Sequence, residues 1–66
     1  MADKAYQQRV IDERTELNSK LHKLESFLDG EIFQSLHKTE QRLLLRQRLV
    51  MEEYADILSE RIGLFR

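Results

Sequence analysis

Tyr6, Gln7, Gln8 and Arg9 put a flat ring, two amides and a guanidinium within one turn near the start of the chain. The ring could stack on a nucleobase. A second cationic set follows. Lys38, Arg42 and Arg46 stand one turn apart, with Arg48 nearby, and Glu52, Asp56 and Glu60 repeat the spacing further on. On one helix that order opposes the macrodipole, and like charges four apart repel by roughly 0.2–0.5 kcal/mol each. A local rule broken without local compensation points to function. Two explanations stand side by side. Either an antiparallel oligomer lays its basic end on a neighbour's acidic end, or a small anion is held at the basic end. Both hold if the ligand sits between chains. Tyr6 likewise has a structural reading, as an aromatic at the edge of a core.

The remaining chemistry is sparse. There is no glycine-rich phosphate loop, no HExxH and no CxxC. The carboxylates are scattered along helix faces, and His37 near Glu40 reads as a contact beside a helix start rather than an acid–base pair. With no Cys, and with only His22 and His37, neither a thiolate site nor a metal cage is expected. No enzyme activity, cofactor or metal is therefore expected. A net charge of −1 disfavours a DNA- or RNA-backbone binder. No apolar run approaches the ~20 residues of a membrane span. Met1-Ala2-Asp3-Lys4 has no apolar core behind it, so no signal peptide is expected, and the default is a soluble, intracellular protein.

The elements that must carry these residues are helical. Leu43, Val50, Ile57 and Leu64 recur every seven residues, Leu44, Met51, Leu58 and Phe65 follow one position behind, and Glu40, Gln47, Tyr54 and Arg61 form the next column. This stripe from Glu40 to Phe65 is three columns wide where a coiled-coil seam needs two. It can touch one helix of its own chain and a second chain besides. Tyr54 is expected in its core, and Gln47 and Arg61 are expected to fix an oligomer's register. Earlier, Val10, Leu17 and Leu24 recur at seven with Leu21 and Leu28 beside them. Met1 to Asp3 is expected to fray, and Asp3 to cap a helix from Lys4. That helix is expected to stop at Asp29-Gly30, with Gly30 supplying a left-handed end. Ile32, Phe33 and Leu36 suggest a short helical turn plugging the corner, and Ser35 is favoured over Thr39 as the next cap.

The expectation is an all-α protein with a single domain spanning 1–66, a helical hairpin that assembles into a homo-oligomeric bundle. Helices are placed at about 4–28 and 36–62, with a connection at 29–35. Sixty-six residues bury too little surface to be more than marginal alone, and oligomerisation is the remedy left open. Between Leu17 and Leu49 six Lys and Arg stand against four Asp and Glu, a balance of +2, while the outer segments hold five against eight, −3. The folded hairpin is thus basic at its turn and acidic at its termini.

The pattern as a whole resembles a known family. Tyr6-Gln7-Gln8-Arg9-Val10, Glu16-Leu17 and Lys23-Leu24-Glu25-Ser26-Phe27-Leu28 resemble its first helix. Phe33, Leu36, Glu40-Gln41, Leu43-Leu44, Gln47, Met51, Tyr54, Leu58 and Arg61-Ile62 stand at its later spacing. The family is the phage anti-CBASS cyclic-oligonucleotide sponges and their relatives from tailed and crAss-like phages, and the resemblance covers nearly the whole chain. It implies a helical homohexamer in the cytoplasm of an infected bacterium. Such a protein sequesters cyclic dinucleotides, and in some members cyclic trinucleotides, between protomers without cleaving them. It also implies that a Tyr early in the first helix and a Lys later in it contact the dinucleotide. Tyr6 matches the first and Lys23 the second, with Lys20 as the substitute. Arg42 and Arg46 are candidates for a further site on charge alone, and Arg9 adds a cation beside Tyr6. The competing reading is a structural or adaptor hairpin that binds a protein partner through its spare apolar stripe.

Overall fold

In the computed structural model, which describes residues 3–66, Asp3 accepts hydrogen bonds from the backbone N–H groups of Ala5 and Tyr6 at 3.0 and 3.2 Å. Two donors that a helix start leaves orphaned are thereby satisfied, and helix α1 runs from Lys4 to Leu28. Met1 and Ala2, expected to fray with Asp3, lie outside the described residues. The helix ends through Asp29 in right-handed geometry. Gly30 is extended, not left-handed, and starts the five-residue helix α2, Glu31–Ser35. Helix α3 then spans Lys38–Gly63.

The corner differs from expectation in its cap. Ser35 ends α2 and donates its hydroxyl to the Ile32 carbonyl at 2.7 Å. The cap of α3 is His37, whose Nδ1 accepts from the Thr39 N–H at 3.1 Å. Ser35 is already committed to the preceding turn, so the next acceptor in line takes the role. Gln41 closes the corner by donating to the Phe33 and Gln34 carbonyls at 2.8 and 3.4 Å. Phe33 and Leu36 are half-buried there, while Ile32 faces outward.

The two long helices fold into an antiparallel hairpin of 52 × 15 × 13 Å. Its seam alternates three and four residues along both partners. The covered positions at this spacing are Gln7, Val10, Arg14, Leu17, Leu21, Leu24 and Leu28 on α1, and Gln41, Leu44, Arg48, Met51, Ala55, Leu58 and Ile62 on α3 with Phe65 just beyond it; Ile11, Glu52 and Arg61 are half-buried at the edges. This is the a/d pattern of a coiled coil. Among the described residues the buried core consists of Val10, Leu17, Ala55 and Leu58.

The seam is therefore not the stripe read from the sequence. Only the Leu44, Met51, Leu58, Phe65 column faces α1. The other inner column is Gln41, Arg48, Ala55 and Ile62. Tyr54, expected in the core, is left 40% exposed. Ala55 lets the backbones approach, and Arg48 lies half-buried on the seam with its Nε turned toward Glu52. A single narrow helix covers two columns, so Leu43, Val50, Ile57 and Leu64 stay outside, with Val50 68% exposed. The chain exposes 5493 Å², against roughly 4,400 Å² for a compact monomer of this mass.

Candidate ligand-binding site

Tyr6 projects from the first turns of α1 toward the last turns of α3. Its hydroxyl accepts a hydrogen bond from Arg61. The same guanidinium lies 5.8 Å from the centre of the ring, within cation–π range. Phe65 meets the ring edge-on, with centroids 6.2 Å apart and planes at 61°. Tyr6 is thus held in one orientation while 37% of it stays open to solvent. That is what a stacking platform requires: a ring whose rotamer is set before a base arrives. Its place in the stripe suggests only a register role for Arg61; the antiparallel hairpin brings it level with Tyr6.

The other candidates are free cations. Among the described residues Arg9, Lys23, Arg42 and Arg46 are all exposed, and none makes an ion pair or side-chain hydrogen bond. Arg48 differs. It pairs with Glu52 at 3.5 Å, at the junction of the basic and acidic halves of α3, and its Nε is buried without a hydrogen-bond partner.

The hairpin does not bring the candidates together. Lys23 lies seventeen positions after Tyr6 on one straight helix, roughly 25 Å along it at 1.5 Å per residue. Arg9 and Lys23 share a column two heptads apart. Arg42 and Arg46 sit one turn apart on the outer face of α3, beside the corner. Tyr6 and Arg9 therefore mark the terminal end of the hairpin, and Lys23, Arg42 and Arg46 mark the corner end. Two shallow concavities lie between these ends. One runs along the outer face of α1 past Thr15, Asn18, Ser19, His22, Lys23 and Ser26. The other is apolar, on α3, bounded by Leu49, Val50, Glu53, Tyr54 and Ile57. Neither is enclosed, so one hairpin can offer groups to a ligand but cannot surround it.

Among the described residues no helix is long and apolar enough to cross a membrane. The family model described as Sequestin matches residues 4–64. An uncharacterized 7.5 kDa protein in the denB-rIIB intergenic region of Enterobacteria phage T4 is 40% identical over 62 residues, covering 94% of this chain and 97% of that protein. No solved structure matches. Both matches agree with the resemblance to small phage proteins carried by the residues of the two long helices. The chain belongs to the Sequestin family.

Proposed function

We propose that this member of the Sequestin family is a phage-encoded binding protein, not an enzyme. In this reading it sequesters cyclic oligonucleotide messengers, cyclic dinucleotides and in a second mode cyclic trinucleotides, in the cytoplasm of the infected bacterium. It thereby blocks CBASS signalling without cleaving the messenger. Tyr6 stacks on a base, Arg9 and Lys23 hold phosphate, and Arg42 and Arg46 add positive charge at the corner. The functional form is a homo-oligomer, a hexamer by the resemblance, with ligand between protomers.

The observation that carries this reading is the division of the candidates between the two ends of a hairpin that leaves an apolar column uncovered. A cyclic dinucleotide presents two phosphates and two base faces, and roughly 25 Å of helix separates Tyr6 from Lys23 within a chain. A site between chains removes that separation, as ligand sites between the helices of bundles do. A preset ring beside unpaired cations is binding equipment and lacks a paired acid and base, which supports capture without turnover.

Calorimetric titration of the purified protein with a panel of cyclic di- and trinucleotides tests the reading. Saturable heat with at least one of them, and intact nucleotide recovered after denaturation, is the expected result. No heat and no thermal shift with any member would favour the adaptor hairpin, and recovery of linear nucleotide would show an enzyme.

A further inference from the structure

Among the described residues one pair of aromatic rings meets, Tyr6 and Phe65, with centroids 6.2 Å apart and planes at 61°. Tyr6 stands on the first turns of α1 and Phe65 just beyond the end of α3. We propose that Phe65 is the second wall of the base site on Tyr6, and that Gly63 gives the last turn of α3 the freedom to admit a base between the two rings. The second wall rests on the function proposed above, since it has no use without a base.

The spacing of the rings is close to what a base needs. A flat base held on both faces requires two layers at van der Waals contact, roughly 3.5 Å each. The rings then lie parallel and roughly 7 Å apart. At 6.2 Å the pair stands within about 1 Å of that separation. What is missing is mainly rotation, since the planes now cross at 61°. Phe65 therefore turns and shifts outward slightly, and does not have to leave. Both faces of the base are then covered by aromatic rings, where a single platform covers one.

The two rings are held unequally. Asp3 caps the turn that carries Tyr6, and Arg61 fixes the Tyr6 hydroxyl. Phe65 packs against the core cluster from outside the helix. The backbone around it is closed by the Leu64 N–H on the Arg61 carbonyl at 3.1 Å and the Phe65 N–H on the Ile62 carbonyl at 3.0 Å. Both bonds span three residues, the tighter pattern with poorer hydrogen-bond geometry. Leu64, 79% exposed, adds no anchor. Tyr6 is thus the fixed wall and Phe65 the adjustable one.

Gly63 sits at the start of that adjustable segment. Its φ is not positive, and a methyl group on its Cα would meet nothing within 4 Å. Neither backbone geometry nor space calls for glycine. Alanine fits the same place and favours the helix, whereas glycine leaves the backbone freer. Glycine here loosens the turn that carries Phe65 and spares the rest of α3. A local preference given up without a packing reason is the kind of departure found at functional sites.

The chain has no Trp, so Phe65→Trp puts a single fluorescent reporter in the proposed wall. Cyclic di-AMP, cyclic di-GMP and cyclic GMP-AMP are the probes, each first titrated into the unsubstituted protein by calorimetry. A nucleotide that binds is expected to quench Phe65→Trp saturably, because a stacked base quenches indole emission. Phe65→Leu keeps an apolar plug but loses the ring, and is expected to weaken binding roughly tenfold. Phe65→Tyr, which keeps the ring, is expected to bind like the unsubstituted protein. Gly63→Ala is expected to raise the melting temperature without nucleotide and to weaken binding. Unchanged Trp emission with nucleotide bound, or a Phe65→Leu variant of lower melting temperature and undiminished affinity, would make Phe65 a packing residue and overturn the wall alone. Undiminished affinity in Gly63→Ala would overturn the movement of the last turn. If none of the three nucleotides binds the unsubstituted protein, the proposed function and the second wall fall together.

Discussion

Arg61 donates a hydrogen bond to the hydroxyl of Tyr6, fifty-five positions earlier, and lays its guanidinium near the same ring. One side chain on the last turns of α3 thus sets the rotamer of an aromatic on the first turns of α1. The contact ties the two ends of the chain and leaves part of the ring uncovered.

Removing that contact should cost modestly in stability and more in order. Arg61→Ala is expected to lower hairpin stability by about 1 kcal/mol. The chain has no Trp and two Tyr, so in a Tyr54→Phe background the remaining tyrosine signal belongs to Tyr6. Near-ultraviolet circular dichroism of that background should lose intensity on adding Arg61→Ala. An unchanged spectrum would mean that Arg61 does not hold the ring.

The ring's own contribution is separable. Tyr6→Phe keeps the stacking face and the contact with Phe65 but loses the hydroxyl, whereas Tyr6→Ala loses both. Under the proposed function Tyr6→Ala weakens cyclic dinucleotide binding by ~1–3 kcal/mol, about ten- to a hundredfold, and Tyr6→Phe weakens it less. Equal losses in the two variants, read by calorimetry, would assign the effect to the hydroxyl.

The inner and outer seams should respond differently to damage. Leu58 is 0% exposed, so Leu58→Ala removes core contacts and should destabilise the fold by about 2–5 kcal/mol. Val50→Asp places a charge in solvent on an isolated hairpin but buries it when a second chain docks, a penalty of several kcal/mol, roughly. Val50→Asp is therefore expected to dissociate the assembly while the released hairpin keeps helical circular dichroism at high concentration. Unchanged sedimentation of Val50→Asp would show that the outer column is not an interface.

The cap of α3 is a weak point that can be improved. His37 accepts from Thr39 through an imidazole nitrogen, and Asp at that position can accept the same bond while complementing the helix dipole. His37→Asp should raise the melting temperature. His37→Ala should lower stability by about 1 kcal/mol. A lower melting point for His37→Asp would place the anchoring of the corner in Gln41 and its carbonyl partners instead.

Arg42 separates the two explanations of the basic stripe. If the stripe serves an anion, Arg42→Gln leaves the protein without ligand as stable as before or slightly more so, and nucleotide binding loses part of its salt dependence. If Arg42 pairs with a neighbouring chain's carboxylate, the same change lowers the melting temperature without ligand, and added salt lowers that of the unsubstituted protein by screening. Thermal melts at two salt concentrations decide between them.

Much of the architecture was legible in residue order. Asp3 marks the start of α1, because capping acts within a few residues, and the helix does break at Asp29-Gly30, though Gly30 does so in extended rather than left-handed geometry. The heptads of both helices declare that each has an apolar side. The cap at His37 was not legible, since Ser35 and Thr39 are better local acceptors and only the path of α2 determines which one the helix can use. Tyr6 is readable from the sequence as a ring able to stack on a base and Arg42 and Arg46 as a basic stripe, whereas Lys23 enters the candidate site only through the resemblance to the family.

What residue order left open is which apolar columns go inside. Leu43, Val50, Ile57 and Leu64 are more apolar than Gln41, Arg48, Ala55 and Ile62, yet the second set faces α1. Hydrophobicity is a property of a residue, whereas burial depends on which face lets two backbones approach, and Ala55 does that where Val50 would not. The alignment of Arg61 with Tyr6, and the separation of Tyr6 from Lys23, follow from the antiparallel register of the hairpin. That register comes from packing over the whole seam and is written in no single segment.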